Sequence, residues 1–180
     1  QTFCGGAVVR GIKEILGVQF RNMATMGGSV ASKFGFSDII PALLAVHADI
    51  VTYKGGRMSM QEYMNYREKD ILVEIRIPNH EVPVAIEALR ISRGDFPYLT
   101  GSIRHDDTGY KIYIGTRPGA PQLAVKASAL LSEKGLAALD EAAQIASEEL
   151  VFQKNSHASK EYRVEMAKSM VRRLVKEVAQ

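Results

Sequence analysis

The chain has 180 residues, of which 46% are hydrophobic and 24% are charged, and its formal net charge is +3 with an isoelectric point near 9.0. This composition is typical of a globular protein that is long enough to bury a core. The basic residues are scattered except near the C-terminus, which argues against a nucleic-acid-binding protein.

The single cysteine, Cys4, excludes an internal disulfide framework, a cysteine-ligated iron–sulfur cluster and a structural zinc site. No apolar run is long enough to span a bilayer, and no signal-like segment opens the chain, so the sequence predicts a cytoplasmic protein without a membrane anchor. Because the first residue is Gln1 and not Met, we expect a fragment or a processed product.

The first part of the chain shows helical spacing and then strand alternation. Apolar residues recur at helical intervals over 7–16, and Ser37 is a candidate N-cap for the apolar helix that follows it. Residues 49–59 predict a hairpin around the turn KGGR, and QEYMNY predicts a short helix. The segment DILVEIRIP predicts a half-buried strand whose inner face carries Ile71, Val73, Ile75 and Ile77.

The stretch PNHEVP at 78–83 is the best linker in the sequence, and we place a domain boundary there, between 1–80 and 84–180. Beyond it, AIEALRIS, YLTGSIRH and YKIYIGT predict three strands, the last two joined by the turn DDTG. Three helices are expected at about 121–132, 136–150 and 158–178. Strands followed by helices predict an α+β fold with a three-stranded antiparallel sheet and helices on one face.

Two adjacent glycines interrupt the stretch RNMATMGGSVAS at 21–32. Adjacent glycines disfavour both helix and strand, so this segment predicts a loop with accessible backbone N–H groups. Thr25 and Ser29 add hydroxyl donors, and such a loop binds anions such as phosphate. A plain tight turn before a helix explains the same residues. The stretch has neither the GK[ST] ending of a P-loop nor the G-x-G-x-x-G fingerprint.

The wider stretch QFRNMATMGGSVASKFGFSDIIPALLAVHADI resembles the second FAD-contacting segment of the flavin-binding (medium) subunits of molybdenum hydroxylases, the xanthine dehydrogenase and carbon monoxide dehydrogenase family. The family pattern is RN-x-A-T-x-G-G-N, followed after several residues by S-D-x-x-P-x-L-x-A-x-x-A. The chain keeps these positions in the same order: Arg21, Asn22, Ala24, Thr25, Gly27, Gly28, Ser37, Asp38, Pro41, Leu43 or Leu44, Ala45 and Ala48.

The resemblance continues to the end of the chain through DILVEIRIP, ISRGDF, IYIGTRPGAPQLAVKASALL and KEYRVEMAKSMVRRLV. It implies the second subdomain of an FAD-binding domain over 1–80, followed by a flavoprotein C-terminal α+β domain over 84–180. The family's first subdomain, whose own glycine-rich loop holds the other side of the pyrophosphate, is expected to be absent. The C-G-G-A stretch at 4–7 is a poor substitute because a helix follows it directly. We therefore expect FAD binding by this chain to be weak or lost.

The resemblance also implies roles at the FAD phosphates and ribitol for the glycine-rich segment, which comprises Ala24, Thr25, Met26, Gly27, Gly28 and Ser29. Ser29 stands where the family has Asn, so it keeps a donor but has a shorter reach. Asp38 matches the aspartate that hydrogen-bonds cofactor hydroxyls. A charge at a helix N-terminus without a ligand is the alternative for Asp38.

Two further residues are expected near the isoalloxazine ring. Leu72 matches an apolar residue that packs there, with simple strand core as the alternative. Arg90, with Arg93 as the next choice, is the expected basic residue, where a cation favours negative charge on the reduced flavin. The alternative for Arg90 is a solvated arginine on an edge strand.

The remaining polar residues predict no catalytic side chain and no metal site on this chain. Asp106 and Asp107 are typical of a turn, and the basic face of the last helix predicts solvent exposure or a subunit contact, which leaves room for a homo-oligomer. The four histidines are too scattered for metal ligation: His47, His80, His105 and His157.

The function implied by the resemblance is electron transfer. A molybdopterin-containing large subunit would oxidise the substrate, a 2Fe–2S small subunit would carry electrons to FAD on this chain, and NAD or another acceptor would receive them. An assembly or interaction module that no longer binds flavin is the alternative, which the Ser29 substitution and the absent first subdomain favour. A standalone flavin oxidase of the broader fold superfamily is a third hypothesis.

Overall fold

The computed structural model describes residues 6–15, 17–79 and 81–179. Cys4, Gly5 and His80 lie outside the described residues, and the predictions made for them are not tested. The first part of the chain contains α1 (Ala7–Glu14), α2 (Gly17–Met23), α3 (Met26–Ala31), α4 (Ile39–Ala45), β1 (Asp49–Thr52), β2 (Gly56–Ser59), α5 (Met60–Asn65) and β3 (Leu72–Arg76). The second part contains β4 (Val84–Leu89), β5 (Leu99–Asp106), β6 (Gly109–Gly115), β7 (Gln122–Leu123), α6 (Val125–Lys134), a 3₁₀ turn (Gly135–Ala138), α7 (Leu139–Glu149) and α8 (Lys160–Val178).

Helix α4 is the centre of the first domain, since all seven of its residues are buried. The N-cap of this helix is Asp38, one residue later than the predicted Ser37, but the Ser37 hydroxyl still accepts a hydrogen bond from the Ile40 N–H at 3.3 Å, which satisfies one of the unpaired donors at the start of the helix. A three-stranded antiparallel sheet in the order β2-β1-β3 packs beside the helix. Helix α5 begins with a capping box in which Ser59 and Glu62 bond reciprocally.

The glycine-rich segment is helical, so the prediction of a loop at 26–31 is wrong. Thr25 caps α3, and its hydroxyl accepts a hydrogen bond from the Gly28 N–H at 3.0 Å. This cap offsets the cost of about 1 kcal/mol that each glycine imposes on a helix. The short helix α2, which the sequence did not predict, precedes it.

The inner face of β3 differs from the prediction. Ile75 and Ile77 pack against the core of the first domain as predicted, but Ile71 and Val73 are 69% and 60% exposed. Leu72 packs inward in their place. The pairing of β1 with β3 shifts register, because consecutive β1 residues pair with Glu74 and Leu72 and skip Val73. This bulge reverses which side chains face inward, and simple alternation in the sequence does not reveal it.

The second domain contains the three predicted strands and a fourth, two-residue strand, in the order β4-β5-β6-β7. The turn DDTG joins β5 and β6 as expected, with Asp106 opposite Gly109. Helices α6, α7 and α8 cover one face of this sheet, and α6 begins at Val125, four residues later than predicted. Helix α8 lies so close to β5 that a Cβ atom on Gly101 would be 2.4 Å from Met170 Sδ.

The other face of this sheet is also covered, although the sequence predicted helices on one face only. Helix α4 of the first domain contacts β5 and β6. The Ser102 hydroxyl donates to the Pro41 carbonyl at 2.8 Å, and the Thr116 hydroxyl donates to the Gly35 carbonyl at 2.8 Å. The two domains therefore share a packed boundary, and the loop before α4 is fixed from both sides.

Candidate cofactor-binding site

The outer surface of α3 is accessible in the structure. Ala24, Thr25 and Gly28 are exposed, and a Cβ atom added at Gly27 would meet only Leu72 Cδ2, at 4.0 Å. A ligand can therefore approach the backbone of Gly27 closely. The Gly28 N–H is engaged by the Thr25 hydroxyl, so it is not an open donor as the loop prediction had assumed.

Asp38 and Arg90, which the sequence proposes as separate site residues, form one ion pair. Arg90 Nη2 donates to Asp38 Oδ1, and only 7% of the Arg90 side chain and 10% of the Asp38 side chain are exposed. Arg90 Nη1 also donates to the Asp95 carbonyl at 2.7 Å. The pair joins the start of α4 to the end of β4, so Arg90 is not a solvated edge-strand residue. The paired guanidinium fixes the orientation of the Asp38 carboxylate.

Two adjoining cavities bring together Ala24, Thr25, Met26, Ser29 and Asp38, whereas Gly27, Gly28 and Leu72 are not among their lining residues. The first, here called the α3 cavity, has a volume of about 170 Å³ and is lined by Arg21, Ala24, Thr25, Met26 and Ser29. The second, here called the aromatic cavity, has a volume of about 160 Å³ and contains Ser29 and Asp38 in its wall. Ile15, Ser29 and Ile39 line both cavities, so the two are neighbours across Ser29.

A third opening, here called the basic cavity, adjoins the α3 cavity through Ile12, Ile15 and Arg21. Its volume is about 750 Å³, and Lys13, Arg21 and Arg93 lie in its wall. None of its described lining side chains is acidic. Arg21 is anchored by a 2.8 Å hydrogen bond from Nη1 to the Ile15 carbonyl. Arg93, the second choice at the flavin ring, thus lines the basic cavity and is absent from the wall that contains Asp38.

Lys33, which follows α3, is held by aromatic rings. Its Nζ lies 4.1 Å from the centroid of the Tyr63 ring and donates to the Tyr66 carbonyl at 2.5 Å. Burial, together with the nearby Arg67 charge, lowers the pKa of Lys33. This contact fixes the end of α3 against α5.

Sequence reasoning missed the aromatic side chains beside Asp38. Four of the six phenylalanines in the chain line the aromatic cavity, namely Phe20, Phe34, Phe36 and Phe96. The available signal was the pair of phenylalanines in KFGFSD, immediately before the predicted helix. Phe20 and Phe96 come from other segments, and no local pattern places them here.

Among the described residues, no group of three or more histidine, cysteine or acidic side chains could hold a metal ion. Within the same part of the chain, no helix combines the length and apolarity needed to cross a bilayer.

Family comparisons agree with this geometry along most of the chain. Residues 6–80 match the family described as the FAD binding domain in molybdopterin dehydrogenase. Residues 85–178 match the CO dehydrogenase flavoprotein C-terminal domain. The chain belongs to the family of FAD-binding subunits of molybdenum hydroxylases. FAD is the cofactor of this family, which confirms the family and cofactor predicted from the sequence.

Solved flavoproteins share the fold of this molybdenum hydroxylase subunit. Quinoline 2-oxidoreductase from Pseudomonas putida 86 matches with a TM-score of 0.84 and 19% identity, over 98% of this chain and 68% of that chain. CO dehydrogenase from Oligotropha carboxidovorans matches with a TM-score of 0.82 and 22% identity, over 97% and 68%. CO dehydrogenase from Hydrogenophaga pseudoflava matches with a TM-score of 0.81 and 23% identity, over 99% and 72%. These matches confirm the α+β fold.

A curated sequence relative matches part of this family member. The uncharacterized protein YgfM of Escherichia coli strain K12 is 27% identical over 100 residues. The match covers 53% of this chain and 39% of the length of the relative.

The described residues fit an FAD molecule in their chemistry. Gly27 leaves room for close approach to backbone, where any side chain would protrude. Ser29 and Asp38 offer hydroxyl and carboxylate groups to a polyol. The cations of the basic cavity suit phosphate oxygens.

Proposed function

We propose that this chain is the FAD-binding, electron-transferring subunit of a molybdenum hydroxylase complex. The observation that supports the proposal most strongly is the continuity of three adjoining cavities along one surface. They pass from the cations near Arg21, across Thr25 and Ser29, to Asp38. A dinucleotide needs this sequence of phosphate, polyol and ring environments.

Each predicted residue has a proposed task in this tract. Thr25 shapes α3 through its cap, and Gly27 allows the cofactor to approach backbone. Ser29 donates or accepts at the border between two cavities. Met26 and Leu72 supply apolar contact, and Ala24 limits the outer wall of the α3 cavity.

Asp38 and Arg90 are proposed to work as one unit. Arg90 holds the carboxylate of Asp38 in one orientation, so that Asp38 meets cofactor hydroxyls without first losing side-chain entropy. Because Asp38 balances the guanidinium charge, the pair brings no net positive charge to the cavity wall. The orienting effect depends on the ion pair being nearly buried.

Bound flavin would supply the redox chemistry, relaying electrons from the iron–sulfur clusters of a partner to NAD or another acceptor. We propose a molybdopterin-containing large subunit and a 2Fe–2S small subunit as partners in a cytoplasmic complex. This part of the proposal rests on the family match.

Titration of the chain with FAD, followed by visible absorption, tests the proposal. We expect weak binding of at most one FAD per chain, with an affinity that falls as salt is raised because charges on the phosphates are screened. Arg93→Ala should weaken binding about three- to fivefold, as expected for an exposed charge pair. Arg172→Ala on α8 removes an equal charge far from the tract and should leave binding unchanged.

A flavin-free assembly module is the second candidate, because the Gly28 N–H and the Asp38 carboxylate are both engaged within the protein. The absence of bound FAD at saturating concentration, both in this chain and in the chain joined to a first subdomain of the family, would contradict the flavoprotein proposal and support this alternative.

A further inference from the structure

Three phenylalanine rings form a continuous surface beside Asp38, here called the aromatic shelf. The rings of Phe34 and Phe36 are stacked, with centroids 5.0 Å apart and an interplanar angle of 12°. The ring of Phe96 lies 4.5 Å from that of Phe36 at 50°. Phe96 belongs to the loop between β4 and β5, so the shelf is assembled from both domains and does not follow from one local sequence.

The three apolar rings of the shelf are exposed to solvent to an unusual extent. The exposed fractions are 55% for Phe34, 38% for Phe36 and 53% for Phe96. Phenylalanine gains free energy when its ring leaves water, so a grouped set of half-exposed rings is a feature that needs a covering group. Phe20, at 66% exposure, lies in the wall of the same cavity.

The backbone holds the shelf in place. A Cβ atom on Gly35, between the two stacked rings, would lie 2.7 Å from the Gly119 carbonyl carbon, so the loop lies directly against the second domain. Thr116 donates to the Gly35 carbonyl, and Arg90 donates to the Asp95 carbonyl next to Phe96. The rings are therefore presented by fixed loops, which lowers the entropic cost of binding to them.

The size and the edge of the cavity indicate what it receives. Its volume of about 160 Å³ matches the ~150 Å³ that accommodates one benzene ring in an apolar cavity. Ser29, Ser37 and Asp38 lie in the same wall and suit hydroxyl groups attached to such a ring. An aromatic shelf with a polar edge is complementary to a planar ring that carries a polyol or a sugar.

We infer that the aromatic shelf of Phe34, Phe36 and Phe96 stacks on a planar ring of the bound flavin nucleotide. This inference rests on the proposed function and assigns the ring contact to three residues outside the segment that identifies the family. Two rings of FAD have the required chemistry, the isoalloxazine and the adenine. The ring in contact with the shelf lies within reach of Ser29 and Asp38.

Binding of riboflavin and of ADP to separate samples distinguishes these rings, because each carries one of them. The variant Phe34→Ala/Phe36→Ala removes the stacked pair at exposed positions, and circular dichroism checks that it folds. Tyr53→Ala is the matched control, since Tyr53 is an exposed aromatic residue on the β1–β2 turn, outside the cavity. Quenching of riboflavin fluorescence on binding gives a second readout, since riboflavin carries no adenine that would quench it internally.

We expect the double variant to weaken FAD binding by about tenfold or more, the effect typical of losing a ring-stacking contact, and the control to match the wild type. Loss confined to riboflavin, with reduced quenching, assigns the shelf to the isoalloxazine. Loss confined to ADP assigns it to the adenine. Equal binding of FAD by the wild type and the double variant would overturn the inferred stacking contact while leaving the proposed function intact. Failure of the wild type to bind FAD, riboflavin or ADP, even when joined to a first subdomain of the family, would overturn both.

Discussion

Large apolar side chains have opposite environments in two regions of this molecule, helix α8 and the surface beside Asp38. On α8, Met170, Val171 and Leu174 are at most 2% exposed and fill the core between the helices and the second sheet. Around Asp38, the rings of the aromatic shelf remain about half exposed although they touch one another. The phenylalanine rings beside Asp38 therefore keep apolar surface in contact with water, whereas the apolar side chains of α8 do not. The difference indicates that α8 stabilises the fold, whereas the surface beside Asp38 is shaped for a ligand.

Among the variants considered, removal of the Arg163 side chain should lower the free energy of unfolding the most. Its fully buried guanidinium donates to the Thr116 carbonyl at 2.6 Å, to the Tyr98 carbonyl and to the Asn155 side chain. Arg163→Ala leaves buried carbonyls without donors and should lower the free energy of unfolding by about 3–5 kcal/mol. Urea denaturation measures this change.

Arg172→Ala on the same helix is the matched control for Arg163. Its exposed ion pair with Asp140 contributes less than about 1 kcal/mol. Equal effects of the two variants would show that α8 is not held by its buried arginine.

Breaking the ion pair between Asp38 and Arg90 should have the next largest effect on the free energy of unfolding. Asp38→Ala leaves a nearly buried guanidinium without its carboxylate, at a cost of about 3 kcal/mol. The double variant Asp38→Ala/Arg90→Leu should cost less than the sum of the single variants, because no charge is stranded. Additive losses in a denaturation cycle would argue that the pair is not coupled.

A methyl group at Gly101 should strain the stable region by about 1–2 kcal/mol, since its Cβ would overlap Met170 Sδ. Per folded molecule, Gly101→Ala should bind FAD as the wild type does. Thermal unfolding and FAD titration of the same sample check both statements. A large loss of FAD affinity at unchanged stability would reverse the roles assigned to the two regions.

Asp70 provides a pH-dependent test within the first domain. Partial desolvation by itself raises its pKa, but hydrogen bonds from the Gly55 N–H, the Thr52 hydroxyl and the Lys54 N–H together hold the pKa well below its usual range. A depressed pKa stabilises the fold above the unfolded value of about 3.9, and this contribution is lost as the pH falls below it.

Asp70→Asn should therefore be less stable than the wild type at neutral pH, with a difference that shrinks below about pH 4. Chemical denaturation at pH 7 and pH 3 measures this. A difference that is constant with pH would contradict the assigned ionisation.

The sequence predicts the second domain better than the first. The strands β5 and β6 and the turn DDTG between them are predicted from local sequence, and the structure confirms them. The predicted inner face of β3 was wrong at Ile71 and Val73, because the bulge at Val73 depends on pairing with β1. The helix at Gly27 and Gly28 was missed because the Thr25 cap outweighs glycine propensity. The shelf could not be predicted, because Phe34 and Phe96 meet only through tertiary packing.

The most direct test of the account is Gly27→Ala, measured by FAD titration and by thermal unfolding. A methyl group there meets only Leu72 Cδ2 at 4.0 Å, and alanine favours a helix over glycine by about 0.5–1 kcal/mol, so the fold should be as stable as the wild type or more so. FAD affinity should nevertheless fall by about tenfold or more, because the methyl group separates the cofactor from the backbone of α3. Unchanged FAD affinity in this stable variant would contradict the placement of the cofactor on the glycine-rich segment.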